Sequence, residues 1–208
     1  MSLITILFAA AIVGQPDISC SSEYLQRQLD DRSSADQSAR RLIGNNTFDD
    51  KVLMHVLEVD ADNRRWFQLV LEKCGWPKKS MIGENSSTNA WLLAQHADAA
   101  PGFQEYAAAK MKIAVVAGEA NSKLLALLVD RNRRIQKQPQ VYGMQFNVQE
   151  NARLVFLPIE APVLLNKRRK EIGLEPFVCH VDAVTREKKL PAIWPEGVLY
   201  EPAHCHEQ

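Results

Sequence analysis

The segment 90–98 (AWLLAQHAD) places the tightest constraint on how this chain folds. Its first half is apolar on nearly every side of a helix, and such a helix belongs in the middle of a fold. Its second half carries Gln95, His96 and Asp98, side chains that are rarely buried without polar partners. We therefore expect a central helix whose end meets polar side chains from other helices.

A second helix is predicted over residues 49–74, where apolar residues recur at helical spacing. Asp60 and Asn63 fall inside its apolar stripe, and a buried carboxylate has to be paired or protonated. These two side chains either bridge neighbouring helices or belong to a functional site. Gly75-Trp76-Pro77 then ends the helix, with glycine as the C-terminal cap and proline as the stop.

Further helical stripes cover residues 102–117 and 122–137, and Pro162 opens another helix. Arg131 lies within the apolar stripe of 122–137. An arginine in that position either extends to the rim of the core or pairs with a buried acid. Removing one partner of a buried pair costs on the order of 3–5 kcal/mol, so loss of such an arginine is strongly destabilising.

The pattern changes after residue 138, because the segment 139–146 alternates and contains β-forming residues, and 153–158 is a second extended run. They make either a small hairpin or one extended loop. The fold class is therefore mainly α, a compact single-domain multi-helix bundle with at most one small β-hairpin. We divide the chain into a signal peptide and cleavage region at 1–19, a polar arm or helix at 20–47, a helical core at 48–177 and an irregular C-terminal tail at 178–208.

Residues 1–13 form an uncharged apolar run that has the length of a signal-peptide core and is too short to span a bilayer comfortably. The alternative is a buried N-terminal strand or helix. The four cysteines fit an exported protein with up to two disulfides, and all three pairings remain open. We expect a periplasmic or secreted protein without a stable membrane span in its mature form. Lipid anchoring at Cys20 is the less favoured alternative, because Asp17 stands where a lipid-attachment box has an aliphatic residue.

Lysine plus arginine and aspartate plus glutamate each number 25, so the net charge is zero. A nucleic-acid binder that relies on bulk charge is therefore not expected. His96 with scattered acids is too small a set of ligands to propose a metal ion, and His204-Cys205-His206 is interpreted as a solvated tail. No metal site is predicted, and the cofactor is unknown.

Six short motifs follow one another along the chain. They are Asp60-x-x-Asn63, Gly75-Trp76-Pro77, Gln95-His96-Ala97-Asp98, Asp130-Arg131, Pro139-Gln140-x-Tyr142-Gly143-x-Gln145 and Arg169-x-x-x-Gly173. In order and spacing, this set resembles a bacterial family classed as a domain of unknown function, over about residues 50–177. Met144 departs from the family pattern, which has a small hydroxyl residue there. The resemblance implies that His96, Arg131, Gln145 and Arg169 belong to one shared pattern, and it implies no activity.

Two classes of function fit these residues. In the first, the polar side chains form a pocket that binds or processes a small polar or anionic ligand. His96 is then the catalytic general acid or base, and Asp60 or Asp98 orients it. In the second, the chain is a non-enzymatic partner-binding or immunity-type protein and the polar cluster is structural. The ligand-binding candidates are Asn63, Gln95, Arg131, Tyr142, Gln145 and Arg169. These six are expected to converge in space with Asp60 and His96.

Overall fold

The computed structural model describes residues 17–43 and 49–205. The predicted signal peptide therefore falls almost entirely outside the described residues. Within them the fold is mainly α-helical, as the sequence predicts, with one small sheet. The helices are α1 (Ser22–Ile43), α2 (Asp50–Lys73), α3 (Lys79–Gln95), α4 (Pro101–Val116), α5 (Ser122–Ile135), α6 (Leu165–Glu171) and α7 (Phe177–Lys188). The strands are β1 (Phe146–Val148), β2 (Leu154–Phe156) and β3 (Ala192–Ile193).

Helix α3 is the central element, since it packs against α1, α2, α4 and α5. Ala90, Leu93 and Ala94 are fully or almost fully buried, because small and branched apolar side chains allow neighbouring helices to approach closely. Gly83 interrupts the helix with a φ of 79°, a left-handed conformation that glycine adopts without strain. The helix ends at Gln95 with His96 as its C-cap, so the imidazole leaves the helix where other elements can reach it.

Helix α1 belongs to the bundle and is not an arm outside it. Leu25 and Leu29 are completely buried, and the helix packs against both α2 and α3. Its inner face also buries Ser33 and Asp36. Two of the five buried residues of α1 are therefore polar, which hides the helix in a hydropathy pattern.

The hairpin predicted between residues 140 and 157 is formed by β1 and β2, which pair in an antiparallel manner. Strand β3 adds to β2 in parallel. Helix α7 begins at Phe177 and occupies a segment for which the sequence indicates an irregular tail. It has its own small apolar cluster, formed mainly by Phe156, Leu165 and Phe177.

Two disulfides select one of the three pairings that the sequence leaves open. Cys20, just before α1, is bonded to Cys74 at the end of α2. Cys179 in α7 is bonded to Cys205. In the described part of the chain, no helix is both long and apolar enough to cross a membrane.

Candidate functional site

His96 is held by a carboxylate that comes from α1. Both carboxylate oxygens of Asp36 lie 2.9 Å from the imidazole Nδ1. Asp36 is only 1% exposed, whereas the imidazole is 17% exposed. The sequence assigns the orientation of His96 to Asp60 or Asp98, but the structure places Asp36 in that position.

Arg40 lies one helical turn after Asp36 and extends the cluster to α2. Its Nη2 donates to Oδ1 of Asp60 at 2.6 Å, and its Nε lies 2.9 Å from Nδ1 of His96. Asp60 is thus part of the same group of side chains, although Arg40 stands between it and the imidazole. We call Asp36, Arg40, Asp60 and His96 the His96 cluster.

The two acids of the His96 cluster differ in their proton affinity. Burial alone raises the pKa of Asp36, but the hydrogen bond and charge of His96, with Gln37 and Arg40, lower it below the ordinary value. Burial raises the pKa of Asp60 above its ordinary value, and the charge of Arg40 only partly opposes this. The more buried carboxylate is therefore the one that the cluster holds more firmly ionised.

Asp98 and Arg131 form a two-point ion pair beside the His96 cluster. Nε of Arg131 donates to Oδ1 of Asp98 at 2.8 Å, and Nη2 donates to Oδ2. Burial raises the pKa of Asp98, but the hydrogen bond and charge of Arg131 lower it overall, and the charge of His96 acts in the same direction. His96 and Arg131 thus lie on the same side of the bundle, although both partners of the ion pair remain about two-fifths exposed.

Asn63 and Gln95 are buried near this region without hydrogen bonds to the His96 cluster. Oδ1 of Asn63 accepts from Nη1 of Arg32 at 3.2 Å, and Arg32 also stacks over the ring of Trp66. Within the described residues, Nδ2 of Asn63 and Oε1 of Gln95 have no hydrogen-bond partner. The backbone carbonyl of Gln95 accepts from Nε2 of Gln104 at 3.1 Å.

Arg169 binds backbone and does not reach the His96 cluster. It is 3% exposed. Its Nη1 donates to the carbonyl oxygen of Tyr142 at 2.6 Å, and its Nε donates to that of Glu175 at 2.8 Å. Burial lowers the pKa of Arg169 to about 10, although the charge of Asp130 opposes this. Arg169 therefore links α6 to the loop of residues 139–146.

Asp130 holds the same loop from the α5 side. It is fully buried and accepts hydrogen bonds from the backbone amides of Val141, Tyr142 and Met144, at distances from 2.7 to 3.2 Å. Burial raises the pKa of Asp130 above its ordinary value. The hydrogen bonds from these amides and the charge of Arg169 act in the opposite direction but only partly offset the effect of burial. We call Asp130, Arg169 and the backbone that they hold the loop anchor.

Tyr142 belongs to the loop anchor through its backbone, whereas the backbone of Gln145 in the same loop is held by Gln140. The Tyr142 side chain is 6% exposed, and burial raises its pKa. The backbone amide of Gln145 donates to Oε1 of Gln140 at 2.7 Å, and Nε2 of Gln140 returns a hydrogen bond to the carbonyl of Gln145. Gly143 has a φ of 76°, and a Cβ there would lie 2.7 Å from the ring of Phe177. The Tyr-Gly motif is thus explained by backbone geometry.

The predicted site is therefore divided into two groups of side chains. The first is the His96 cluster with the neighbouring Asp98–Arg131 pair, and the second is the loop anchor. Helix α5 contributes to both, because Asp130 holds the loop and the next residue, Arg131, pairs with Asp98. No hydrogen bond joins the two groups in the described residues. Sequence reasoning missed Asp36 and Arg40. A signal was available, because Leu25, Leu29 and Asp36 share one helical face and Arg40 follows Asp36 by four residues.

No curated protein and no solved structure matches the chain. A family of unknown function, DUF6624, matches residues 23–187. This range contains every residue of the His96 cluster and of the loop anchor, and it extends the resemblance noted in the sequence to α1. The chain belongs to the family of unknown function DUF6624.

Proposed function

We propose that the protein is exported and that the surface around the His96 cluster binds or processes a small polar or anionic ligand. The two disulfides support export, because such bonds persist in oxidising compartments. The polar side chains support a ligand site, because they come from α1, α2, α5 and the end of α3 and converge at a partly open surface.

The observation that carries this proposal is the orientation of His96. Asp36 lies at Nδ1, so the other ring nitrogen, Nε2, is available to a ligand. Nε2 has no hydrogen-bond partner in the part of the chain that the structure describes. Arg40 contacts the imidazole at Nδ1, and Arg131 pairs with Asp98, two residues after His96. Their side chains are 28% and 35% exposed, which favours an anionic ligand.

A second candidate is a non-enzymatic partner-binding or immunity-type protein with a structural cluster. Arg40 and Arg131 are already paired with carboxylates, as in a structural network. Large apolar side chains also stand exposed where α1 ends and α2 begins, and such patches are typical of protein interfaces. They are Leu42, Ile43, Leu53, Met54 and Leu57.

A thermal-shift screen with His96→Asn separates the two candidates. The asparagine amide keeps a donor towards Asp36 but removes Nε2, so the variant retains its fold. The probes are metabolites, nucleotides and peptidoglycan fragments, each with the oxidised wild-type protein, with His96→Asn and with the exposed control His55→Ala.

If the proposal holds, at least one probe at about 100 times its Kd raises the Tm of wild type and control by roughly 5–10 °C and has no effect on His96→Asn. A shift that persists in His96→Asn contradicts the proposal, as does a screen in which no probe acts. The latter result favours the partner-binding candidate.

A further inference from the structure

We propose that Asp36, Asp60 and His96 bind a divalent transition-metal ion of the Zn²⁺ type, with Arg40 displaced from among them. This inference rests on the proposed function, since it names the cofactor of the same site. It uses a carboxylate, Asp36, that the sequence did not place near His96.

The three ligands come from three different elements and already lie close together. One ligand atom from each of Asp36, Asp60 and His96 can be chosen so that all three are within 4.8 Å of one another. In a tetrahedral zinc site with bonds of 2.0–2.2 Å, ligand atoms lie roughly 3.3 Å apart. The two Asp36 oxygens lie 2.9 Å from Nδ1. Because no two of the chosen ligand atoms are more than 4.8 Å apart, forming the site requires Asp60 to close a gap of at most roughly 1.5 Å.

The contacts around Nδ1 of His96 cannot all be hydrogen bonds at the same time. If Nδ1 carries a proton, it donates to Asp36, and the N–H of Arg40 Nε at 2.9 Å then faces another N–H. If Nδ1 is unprotonated, it accepts from Arg40, and both oxygens of Asp36 then face a lone pair. A metal ion on the Nδ1 lone pair satisfies the imidazole and the carboxylate together.

Arg40 occupies the position that electrostatics assigns to this ion. Its guanidinium lies between Asp60 and His96 and brings one positive charge to a site with two carboxylates. A divalent ion balances both carboxylates. The arginine side chain is 28% exposed, and it lies near the end of α1, so it can turn into solvent when an ion binds.

The ligand set selects the class of ion. Imidazole is a ligand of Zn²⁺, Cu²⁺, Ni²⁺ and Fe²⁺, whereas Mg²⁺ and Ca²⁺ prefer oxygen ligands alone. Three protein ligands around Zn²⁺ leave one coordination position open, as in catalytic zinc sites. The substrate class that fits this open position is a small molecule with an anionic oxygen, such as a carboxylate or a phosphate.

Calorimetric titration of the oxidised, tag-free protein with Zn²⁺ tests the inference. We expect one ion per chain at the cluster, and we expect Asp60→Asn to weaken its binding by at least roughly 100-fold, since loss of an outer partner alone costs 10–100-fold. Asp60→Asn is preferred to a change at Asp36, because Asp60 is 16% exposed and its replacement is less disruptive to the fold. The matched control is Asp62→Asn, which removes an exposed carboxylate of the same helix.

Arg40→Ala gives the sharpest test, because only a metal site predicts that this substitution increases the affinity for Zn²⁺. Removing a competing cation tightens Zn²⁺ binding, whereas a structural network merely loses stability. The titrations use a protein with His204→Ala and His206→Ala, so that the tail does not bind the ion. Binding that is unaffected by Asp60→Asn, not tightened by Arg40→Ala, or absent altogether overturns the inference.

The metal inference and the proposed function fail in different ways. If Zn²⁺ does not bind but a probe still acts on the metal-free protein through His96, only the metal inference is wrong. If Zn²⁺ binds as expected but no organic probe shifts the Tm with or without the ion, the proposed ligand site is wrong and the metal site stands.

Discussion

Asp36 and His96 are joined across 60 residues of sequence, with both carboxylate oxygens 2.9 Å from Nδ1. This contact ties the second half of α1 to the end of the central helix α3. The carboxylate is almost completely buried and the imidazole is not, so the pair presents a fixed ring at the surface of the bundle.

Replacing Asp36 by alanine is expected to reduce the free energy of unfolding by about 2–3 kcal/mol, because hydrogen bonds of a buried charged group are lost. Urea denaturation at pH 7 measures the change. Asp31→Ala, an exposed position on the same helix, is expected to change the free energy by less than about 0.5 kcal/mol. Equal effects of the two substitutions contradict the structural role of Asp36.

The Asp98–Arg131 pair is expected to be weaker than an interior ion pair. Its side chains are 43% and 35% exposed, so solvent screens the charges, and the two-point geometry leaves a coupling of about 1 kcal/mol. The loss of about 3–5 kcal/mol predicted for removing Arg131 applies to a buried pair, whereas both side chains of this pair are more than one-third exposed. A double-mutant cycle with Asp98→Ala and Arg131→Ala measures the coupling, and a value above 3 kcal/mol contradicts it.

Asp130→Ala is expected to cost about 3–5 kcal/mol, because it leaves buried backbone amides without their acceptor and the buried Arg169 without a nearby negative charge. Asp130→Asn retains one acceptor oxygen and costs less. Hydrogen exchange checks the cause, since the amides of Val141, Tyr142 and Met144 lose protection only if Asp130 holds the loop. The exposed Asp182→Ala in α7 serves as the control.

His180 is expected to make the protein sensitive to acid. Burial, with the charges of Arg169 and Lys123, lowers its pKa from 6.5 to about 3. Because the folded-state pKa is depressed, the neutral ring contributes stability that is present above pH 6.5 and is lost as the pH falls towards 3. Between pH 7 and pH 4 the loss reaches up to about 3 kcal/mol.

The variant His180→Phe isolates this effect. Phenylalanine preserves the ring contacts with Phe156 and Phe177 and removes Nε2, which is buried without a partner among the described residues. Urea denaturation of both proteins at pH 7 and pH 4 is expected to show a smaller loss for the variant. An identical loss in the two proteins contradicts the assignment.

The central helix and the helix within residues 49–74 could be predicted, because their buried faces consist mainly of apolar residues. Helix α1 was not placed in the core, because Ser33 and Asp36 fill buried positions with polar groups whose partners lie on other helices. Hydropathy carries no information about such partners. The pairing partner of His96 was therefore missed, although the need for one was predicted.

The opposite limitation explains Tyr142, Gln145 and Arg169. Their types and order in the sequence fit a binding site as well as they fit a loop held by backbone hydrogen bonds. Arg169 donates its hydrogen bonds to backbone carbonyl oxygens, and this contact identifies the segment as a held loop and not as a binding site. Every residue has a backbone carbonyl, so the sequence does not show which carbonyl oxygens accept these hydrogen bonds.

The bond between Cys20 and Cys74 has a consequence for lipid attachment at Cys20. A thioether-linked diacylglycerol and a disulfide both need the one sulfur atom of Cys20, so no molecule carries both. A chain with the bond between Cys20 and Cys74 carries no thioether-linked lipid on that sulfur, and the residue that precedes α1 is tied to the end of α2 instead.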